Sequence, residues 1–162
     1  GQILWAAQGM VKKVRGRRTA PSAGATYPLE IYVVIGKGGV ENLGSGIYHY
    51  IPRRHSIVKI KDGDYRRELA IAALRQYFIA EAPISIIITA IYERTTEWYG
   101  RRGIRYVHFE VGHVGQNIHL QAEALGLGTV MIGAFHDEEV AKILGIEKGE
   151  NVLYIAPIGR PK

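Results

Sequence analysis

The 162 residues carry 21 Lys and Arg against 15 Asp and Glu, a formal net charge of +6, with 47% hydrophobic and 22% charged residues and no cysteine. These proportions fit one globular domain with a sizeable core; they exclude disulfides, thiolate metal sites and a Cys nucleophile, fit a cytoplasmic protein, and leave no apolar run near the roughly 18 residues of a membrane span. The positive charge is dispersed as Arg17-Arg18, Arg53-Arg54, Arg66-Arg67 and Arg101-Arg102 with no zinc-finger, helix-turn-helix or RNP-like signature beside it, so it reads mostly as solvated faces rather than a nucleic-acid surface, and a phosphate-bearing cofactor or reductant would use the same charge.

In chain order, Gln2 to Gly9 reads as the end of a helix closed by Gly9, and Lys12 to Arg18 as a basic connector. Thr19 to Pro28 is a turn of small residues bracketed by Pro21 and Pro28, where Ser22, Ala23, Gly24 and Ala25 carry so little bulk that a planar ligand could lie on the backbone. Ala20-Pro21-Ser22-Ala23-Gly24 imitates a G-x-S-x-G nucleophile elbow, but that elbow needs a strand before the Ser and a helix after it, and here the strand follows. Leu29 to Ile35 is that strand. The Gly36-Lys37-Gly38-Gly39 run behind it lacks the third glycine of a dinucleotide fingerprint, since position 41 is Glu, and it continues as loop where a helix should open.

Ile47 to Ile51 and Ser56 to Ile60 alternate around Pro52 to His55 as a β-hairpin does. Asp64 is placed to cap a helix running to about Gln76 with Leu69, Ala73 and Leu74 on one face; Ile84 to Ile91 is nearly continuous in apolar residues, as in a central strand covered on both sides. Glu93 to Arg105 suggests a short helix and a mobile turn. From Ile104 to Leu125 the apolar residues Ile104, Val107, Val111, Val114, Ile118, Ala122 and Leu125 recur every three or four positions, which predicts a helix about 33 Å long at 1.5 Å per residue. Gly112 and Gly115 inside it each cost roughly 1 kcal/mol relative to Ala, which argues for a second backbone passing close. A partner's matching helix would also cover Tyr106, Phe109, His113 and Leu120. His108, His113 and His119 are spaced by five and six, not the i, i+4 of a metal-binding helix face, so no metal site is assigned. Gly126 caps the helix, Thr129-Val130-Met131-Ile132 leads into Gly133-Ala134-Phe135, Asp137 caps a helix closed by Gly145, and Asn151 to Ile158 is the last strand, with Pro157 implying an edge or the strand's last turn.

Thr19 to Tyr32, Gly46-Ile47-Tyr48-His49-Tyr50, Glu81-Ala82-Pro83, Gly112-His113-Val114-Gly115-Gln116-Asn117, Ala124 to Thr129 and Ile132-Gly133-Ala134-Phe135 together resemble the nitroreductase superfamily of FMN-dependent oxidoreductases, and within it the SagB-type dehydrogenase branch. The resemblance covers nearly the whole chain in motif order. It implies an α+β fold, a nitroreductase-like mixed sheet flanked by helices, acting as a homodimer with FMN at the interface and a long central interface helix. Family members open with a short Arg-Arg-Ser type segment that holds the FMN phosphate; residues 1–162 read as one domain starting inside the helix after it. No side chain is assigned as catalytic, because the flavin carries the redox chemistry. On the resemblance, Pro21, Ser22, Ala23, Gly24 and Ala25 line the FMN of the opposite subunit, with Ala25 where the family often has Asn. Met131, Ile132, Gly133 and Ala134 pass beside the ring, with a backbone N–H near Gly133 or Ala134 donating to N5. Gln76 or Arg75 faces the pyrimidine edge or ribityl chain, and Arg17, Arg18 and Arg160 are candidates for phosphate or reductant charge. The expected reductant is NAD(P)H, and the substrate a small molecule. Alternatives within and outside the class are a SagB-type azoline dehydrogenase acting on modified peptides and a flavin-free binding subunit.

Overall fold

The computed structural model describes residues 1–11 and 16–161; Lys12 to Arg15 of the basic connector lie outside them. Its elements are α1 (Gln2–Gln8), β1 (Leu29–Ile35), β2 (Gly46–Ile51), β3 (Ser56–Asp62), α2 (Arg66–Ala72), α3 (Phe78–Glu81), β4 (Ile84–Ile91), α4 (Glu93–Tyr99), α5 (Gly103–Ala124), β5 (Gly128–Thr129), α6 (Asp137–Leu144) and β6 (Glu150–Gly159). The six strands form one sheet in the order β3-β2-β1-β4-β6-β5. The resemblance implied a mixed sheet; the five pairings found are all antiparallel.

The apolar runs of β1 and β4 are buried on both faces, and parity decides which core each residue enters. Leu29, Ile31, Ile86, Ile88 and Ala90 pack with Val107, Val111, Val114 and Ile118 of α5 on one side. Tyr32, Val34 and Ile87 pack with Leu69 and Ala70 of α2 and Val140 and Leu144 of α6 on the other. Full burial of each such Val, Leu or Ile side chain stabilises the fold by about 1.5–3 kcal/mol before entropic costs. Among the described residues no helix is long and apolar enough to cross a membrane.

Several local expectations need correcting. Gly9 does follow α1, but in extended rather than left-handed conformation; its missing side chain is required because a Cβ there would sit 2.3 Å from the Trp5 ring. Asp64 stands one residue before the N-cap Tyr65 of α2 and its Oδ1 accepts the N–H of the first helical residue, Arg66, at 3.3 Å, so it serves the helix start from one position further out, while the helix ends at Ala72 rather than Gln76. The Asp64 carboxylate also accepts from the Arg66 guanidinium and the Lys37 N–H, and Leu74 and Arg75 break the helix with positive φ. Leu74 is exposed, and the short helix α3 has no counterpart in the sequence reading. Asp137 is the first residue of α6 rather than its side-chain cap, although Asp137, Glu138 and Glu139 do fill the first turn and Gly145 ends the helix in the left-handed region. Pro157 lies third from the end of β6 but not on an edge: it pairs with Ser85 of β4, and β5 covers the other side of the strand's last residues. Beyond the two-residue strand β5, Ile132 rejoins the sheet as a single bridge to Ile155.

Helix α5 is 22 residues long, as the periodicity required. Its stripe Val107, Val111, Val114, Ile118 and Ala122 is buried, while Ile104 and Leu125 at its ends are exposed. Phe109 and Leu120 on the second face are 55% and 58% exposed. The two glycines, however, separate. Gly115 is buried in its own subunit, where a Cβ would lie 3.3 Å from the Met131 sulfur and 3.7 Å from the Tyr154 ring, so it is Met131 and not a partner backbone that needs the space. Gly112 is exposed with nothing within 4 Å of a built Cβ. After α5, Gly126 adopts φ 67°, its N–H donating to the Glu123 carbonyl, which is the left-handed stop the sequence indicated.

Candidate functional site

Most residues assigned from the sequence fall into two segments, the turn Pro21 to Pro28 and the stretch Met131 to Ala134. In the turn, Gly24, Ala25 and Tyr27 all have positive φ, at 57°, 55° and 46°. Two of them are not glycine, which costs roughly 1–2 kcal/mol each and requires the surroundings to hold the turn. They do so from several directions. The Tyr27 N–H donates to Ser22 Oγ at 2.9 Å, the Arg18 N–H donates to the Tyr27 hydroxyl at 3.1 Å, and the Arg18 guanidinium lies 4.6 Å over the Tyr27 ring. Thr26 and Thr95 share a hydroxyl hydrogen bond of 2.8 Å that ties the turn to α4. Gly24 suits the turn by its φ, and a Cβ there would come within 2.7 Å of the Tyr99 hydroxyl and push that side chain aside. Pro21, Gly24 and Ala25 are exposed, and Ser22 and Ala23 half-buried, so the small-residue surface expected of this turn is present.

The second segment is Met131 to Ala134. Ile132 exchanges both backbone hydrogen bonds with Ile155, at 2.8 and 3.0 Å, which fixes the segment to the sheet. Gln76, just past the broken end of α2, donates from Nε2 to the Ala73 carbonyl at 2.9 Å and to the Ala134 carbonyl at 3.0 Å. The structure thus joins Gln76 to Ala134 across 58 positions of sequence. Gly133 and Ala134 are exposed, and among the described residues neither of their N–H groups donates a hydrogen bond. Met131 is half-buried against Gly115, and Ile132 is buried. No hydrogen bond among the described residues links this segment to the Pro21 turn.

The three arginines separate. Arg17 is exposed. Arg18 turns inward: its Nη1 donates to Gln8 Oε1 at 2.9 Å, and burial lowers its pKa against the raising influence of Glu30 and Glu110. It serves the turn and is not displayed to a phosphate. Arg160 is exposed beyond β6, beside a cleft lined by Phe78, Pro83 and Val130.

Reading the sequence missed Glu110. It lies on α5 with only 2% exposure, and burial pushes its carboxyl pKa up to about 7 against the influence of Ser22, Gln8 and Arg18. The signal was available, since position 110 falls three after Val107 and four before Val114 and so belongs to the buried stripe. Also unforeseen is the pairing of Glu30 with Arg94 at 2.6 Å and His49 at 2.8 Å, where burial raises the carboxyl pKa but the two partners outweigh it and hold it low.

An antiparallel sheet between two helical layers, with a long helix bearing an uncovered apolar face and two small-residue backbone segments, places the chain among oxidoreductases of nitroreductase type. The model of the Nitroreductase family matches residues 1–160, and the chain belongs to that family. It is 58% identical over 158 residues to the protein named "Putative nitroreductase MJ1384" of Methanocaldococcus jannaschii, covering 98% of this chain and 77% of that one. It is 26% identical over 138 residues to the microcin B17-processing protein McbC of Escherichia coli, covering 82% of this chain and half of McbC. Among solved structures, a nitroreductase-type protein from Anabaena variabilis superposes with a TM-score of 0.86 at 31% identity, over 97% of this chain and 33% of that one. The chain therefore spans most of the archaeal relative but half or less of the other two.

Proposed function

We propose that the chain is a cytoplasmic FMN-dependent oxidoreductase that works as a homodimer, with NAD(P)H or an organic substrate as electron donor and a second small molecule as acceptor. The observation that carries this reading is the exposed Gly133-Ala134 backbone, whose two N–H groups have no partner among the described residues while Ile155 fixes Ile132 before it and Gln76 holds the Ala134 carbonyl. FMN, when bound, supplies the redox chemistry through its isoalloxazine ring.

The residues present fit such a group. Two preorganised backbone donors on a rigid segment stabilise negative charge on an acceptor atom without reorganising. Gly133 leaves the approach open, since even a Cβ there would meet only the Tyr154 ring at 3.7 Å. Gln76 acts on Ala134, holding its peptide rather than displaying its own amide N–H, and its carbonyl oxygen is the group left for a ligand. Pro21, Ser22, Ala23, Gly24 and Ala25 offer a flat, nearly side-chain-free surface to a planar ring contributed from across the dimer. Of the three arginines assigned from the sequence, Arg17 and Arg160 are exposed and available to phosphate. The homodimer reading rests on the outer face of α5, where Phe109 and Leu120 are exposed and Gly112 leaves room for a second helix.

A second reading, oxidation of azoline rings in modified peptides, draws its support from the similarity to McbC. The deciding experiment is the absorbance spectrum of the purified full-length protein after FMN addition and gel filtration, followed by assays with NADH, NADPH and an azoline-bearing peptide. Flavin bands that persist and bleach with NADH or NADPH support the first reading; bleaching by the peptide alone supports the second. Failure to retain FMN refutes both and leaves a flavin-free binding subunit.

A further inference from the structure

Behind the Pro21 to Pro28 turn lies a buried polar cluster that the proposed electron transfer does not use. Glu110 enters it from α5, Gln8 from the end of α1, Arg18 from the basic connector and Ser22 from the turn itself. Glu110 and Gln8 are almost wholly shielded from solvent, yet Glu110 Oε1 and Gln8 Nε2 each lack a hydrogen-bond partner among the described residues. The cluster touches the turn directly: Ser22 Oγ accepts the Tyr27 N–H, and Arg18 holds Tyr27 by its backbone N–H and by its guanidinium over the ring. The positively charged group facing Glu110 is Arg18, while Ser22 and Gln8 present neutral dipoles; Glu30 of β1 and Arg94 of α4 reach the cluster through their influence on Arg18.

We propose that Glu110 is a positioning residue for this turn, its ionised carboxylate drawing in the Ser22 hydroxyl and the free Gln8 amide so that the strained residues Gly24, Ala25 and Tyr27 are held in the shape that receives the flavin. The chemistry follows from donor counting. A carboxylate accepts only, so it can take the Ser22 O–H and the Gln8 N–H at once, leaving Ser22 Oγ lone pairs for the Tyr27 N–H and Gln8 Oε1 for Arg18. A neutral carboxyl carries no charge and turns one of its two oxygens into a donor, so it keeps a single good acceptor for the two donors and holds both less tightly. Protonation therefore loosens the turn, and deprotonation tightens it. The influence of Ser22, Gln8 and Arg18 on the group favours the charged form, while burial opposes it, which brings the change near neutral pH.

This inference rests on the proposed flavin site, and its test separates the two. Backbone amide shifts of residues 23–27 would be followed in 15N-labelled protein across about pH 5 to 9. In the wild type they are expected to move together with a midpoint at about 7, and in Glu110→Gln, which keeps every histidine, to lose that transition. In Ser22→Ala the Glu110 carboxyl, read from its 13C shift, should still titrate while the turn amides stay still. FMN affinity should be on the order of fivefold higher above the midpoint than below it in the wild type, and pH-independent in Glu110→Gln. Turn amides that stay still in the wild type, or move alike in wild type and Glu110→Gln, overturn the proposal, as does an FMN affinity with the same pH profile in both. Should no flavin bind at any pH, the proposed function fails while the amide shifts still decide the role of Glu110.

Discussion

Gly115→Leu tests how α5 is packed. In its own subunit a Cβ at 115 would lie 3.3 Å from the Met131 sulfur and 3.5 Å from its Cγ, with the Tyr154 ring 3.7 Å away. Leu adds three further carbons beyond that Cβ, and they must displace Met131 or Tyr154. Overpacking of this kind costs about 1–3 kcal/mol, while removing a glycine from a helix interior returns about 1 kcal/mol. Because Met131 is half-buried and flexible, the expected net loss is about 1–2 kcal/mol, or a melting temperature roughly 3–6 °C lower for a chain of this size. Gly115→Ala needs only a few tenths of an ångström from Met131 and should melt at or above the wild-type temperature. Gly112→Leu, facing open space in the single chain, is expected to leave the monomer at least as stable and to weaken the proposed dimer. Thermal unfolding by circular dichroism and light scattering over a range of protein concentrations would read both effects, since a dimer's melting temperature depends on concentration. If Gly115→Leu melts like the wild type while breaking the dimer, residue 115 faces the partner and the packing described here is refuted.

Gly133→Val should lower FMN affinity and flavin reduction rate while changing stability by less than about 1 kcal/mol, because a Cβ there makes only an ordinary contact with Tyr154; unchanged binding and reduction, with Gly145→Val as a remote control, would remove the segment from the site. The Glu110 carboxyl has a folded-state pKa raised to about 7, so between its unfolded value near 4.5 and 7 the unfolded chain releases the proton first, and this group's contribution to stability falls as pH rises through that window and is level above it. The shift corresponds to about 3 kcal/mol. Glu110→Gln should flatten that fall in denaturant titrations, and an unchanged slope between about pH 5 and 7 would show that Glu110 is not buried as described. Asp64 has its pKa held down to about 2, chiefly by the Arg66 guanidinium, with burial opposing; its contribution is present above the unfolded value near 3.8 and is lost as pH falls toward 2. Asp64→Asn should therefore cost about 1 kcal/mol at neutral pH and nothing below about pH 2, and an equal cost at both would contradict the pairing.

The sequence by itself determined the elements whose physics is local. The continuous apolar runs of β1 and β4 and the three-and-four spacing of α5 were legible because burial on both faces and on one helical stripe leave periodic traces, and Gly126 and Gly145 were legible because only a left-handed stop favours glycine there. Short-range competition was not legible. Leu74 and Arg75 look like good helix residues, yet they take positive φ, and past them Gln76 donates to the carbonyl of Ala134, a residue far along the chain. Asp64 reads as a cap and does accept the Arg66 N–H, but the Arg66 guanidinium and the Lys37 N–H that share its oxygens left no trace in the sequence. At the candidate site the sequence motifs identified the small-residue segments, but only the tertiary structure decided which groups were free. Arg18 and Arg160 carry the same charge in the sequence; the fold buries one against Gln8 and Tyr27 and leaves the other exposed. Likewise Gly112 and Gly115 are indistinguishable in propensity, yet three residues of α5, somewhat less than a full turn, place the first against solvent and the second against Met131, because which neighbours a helix face meets is set by contacts distant in sequence.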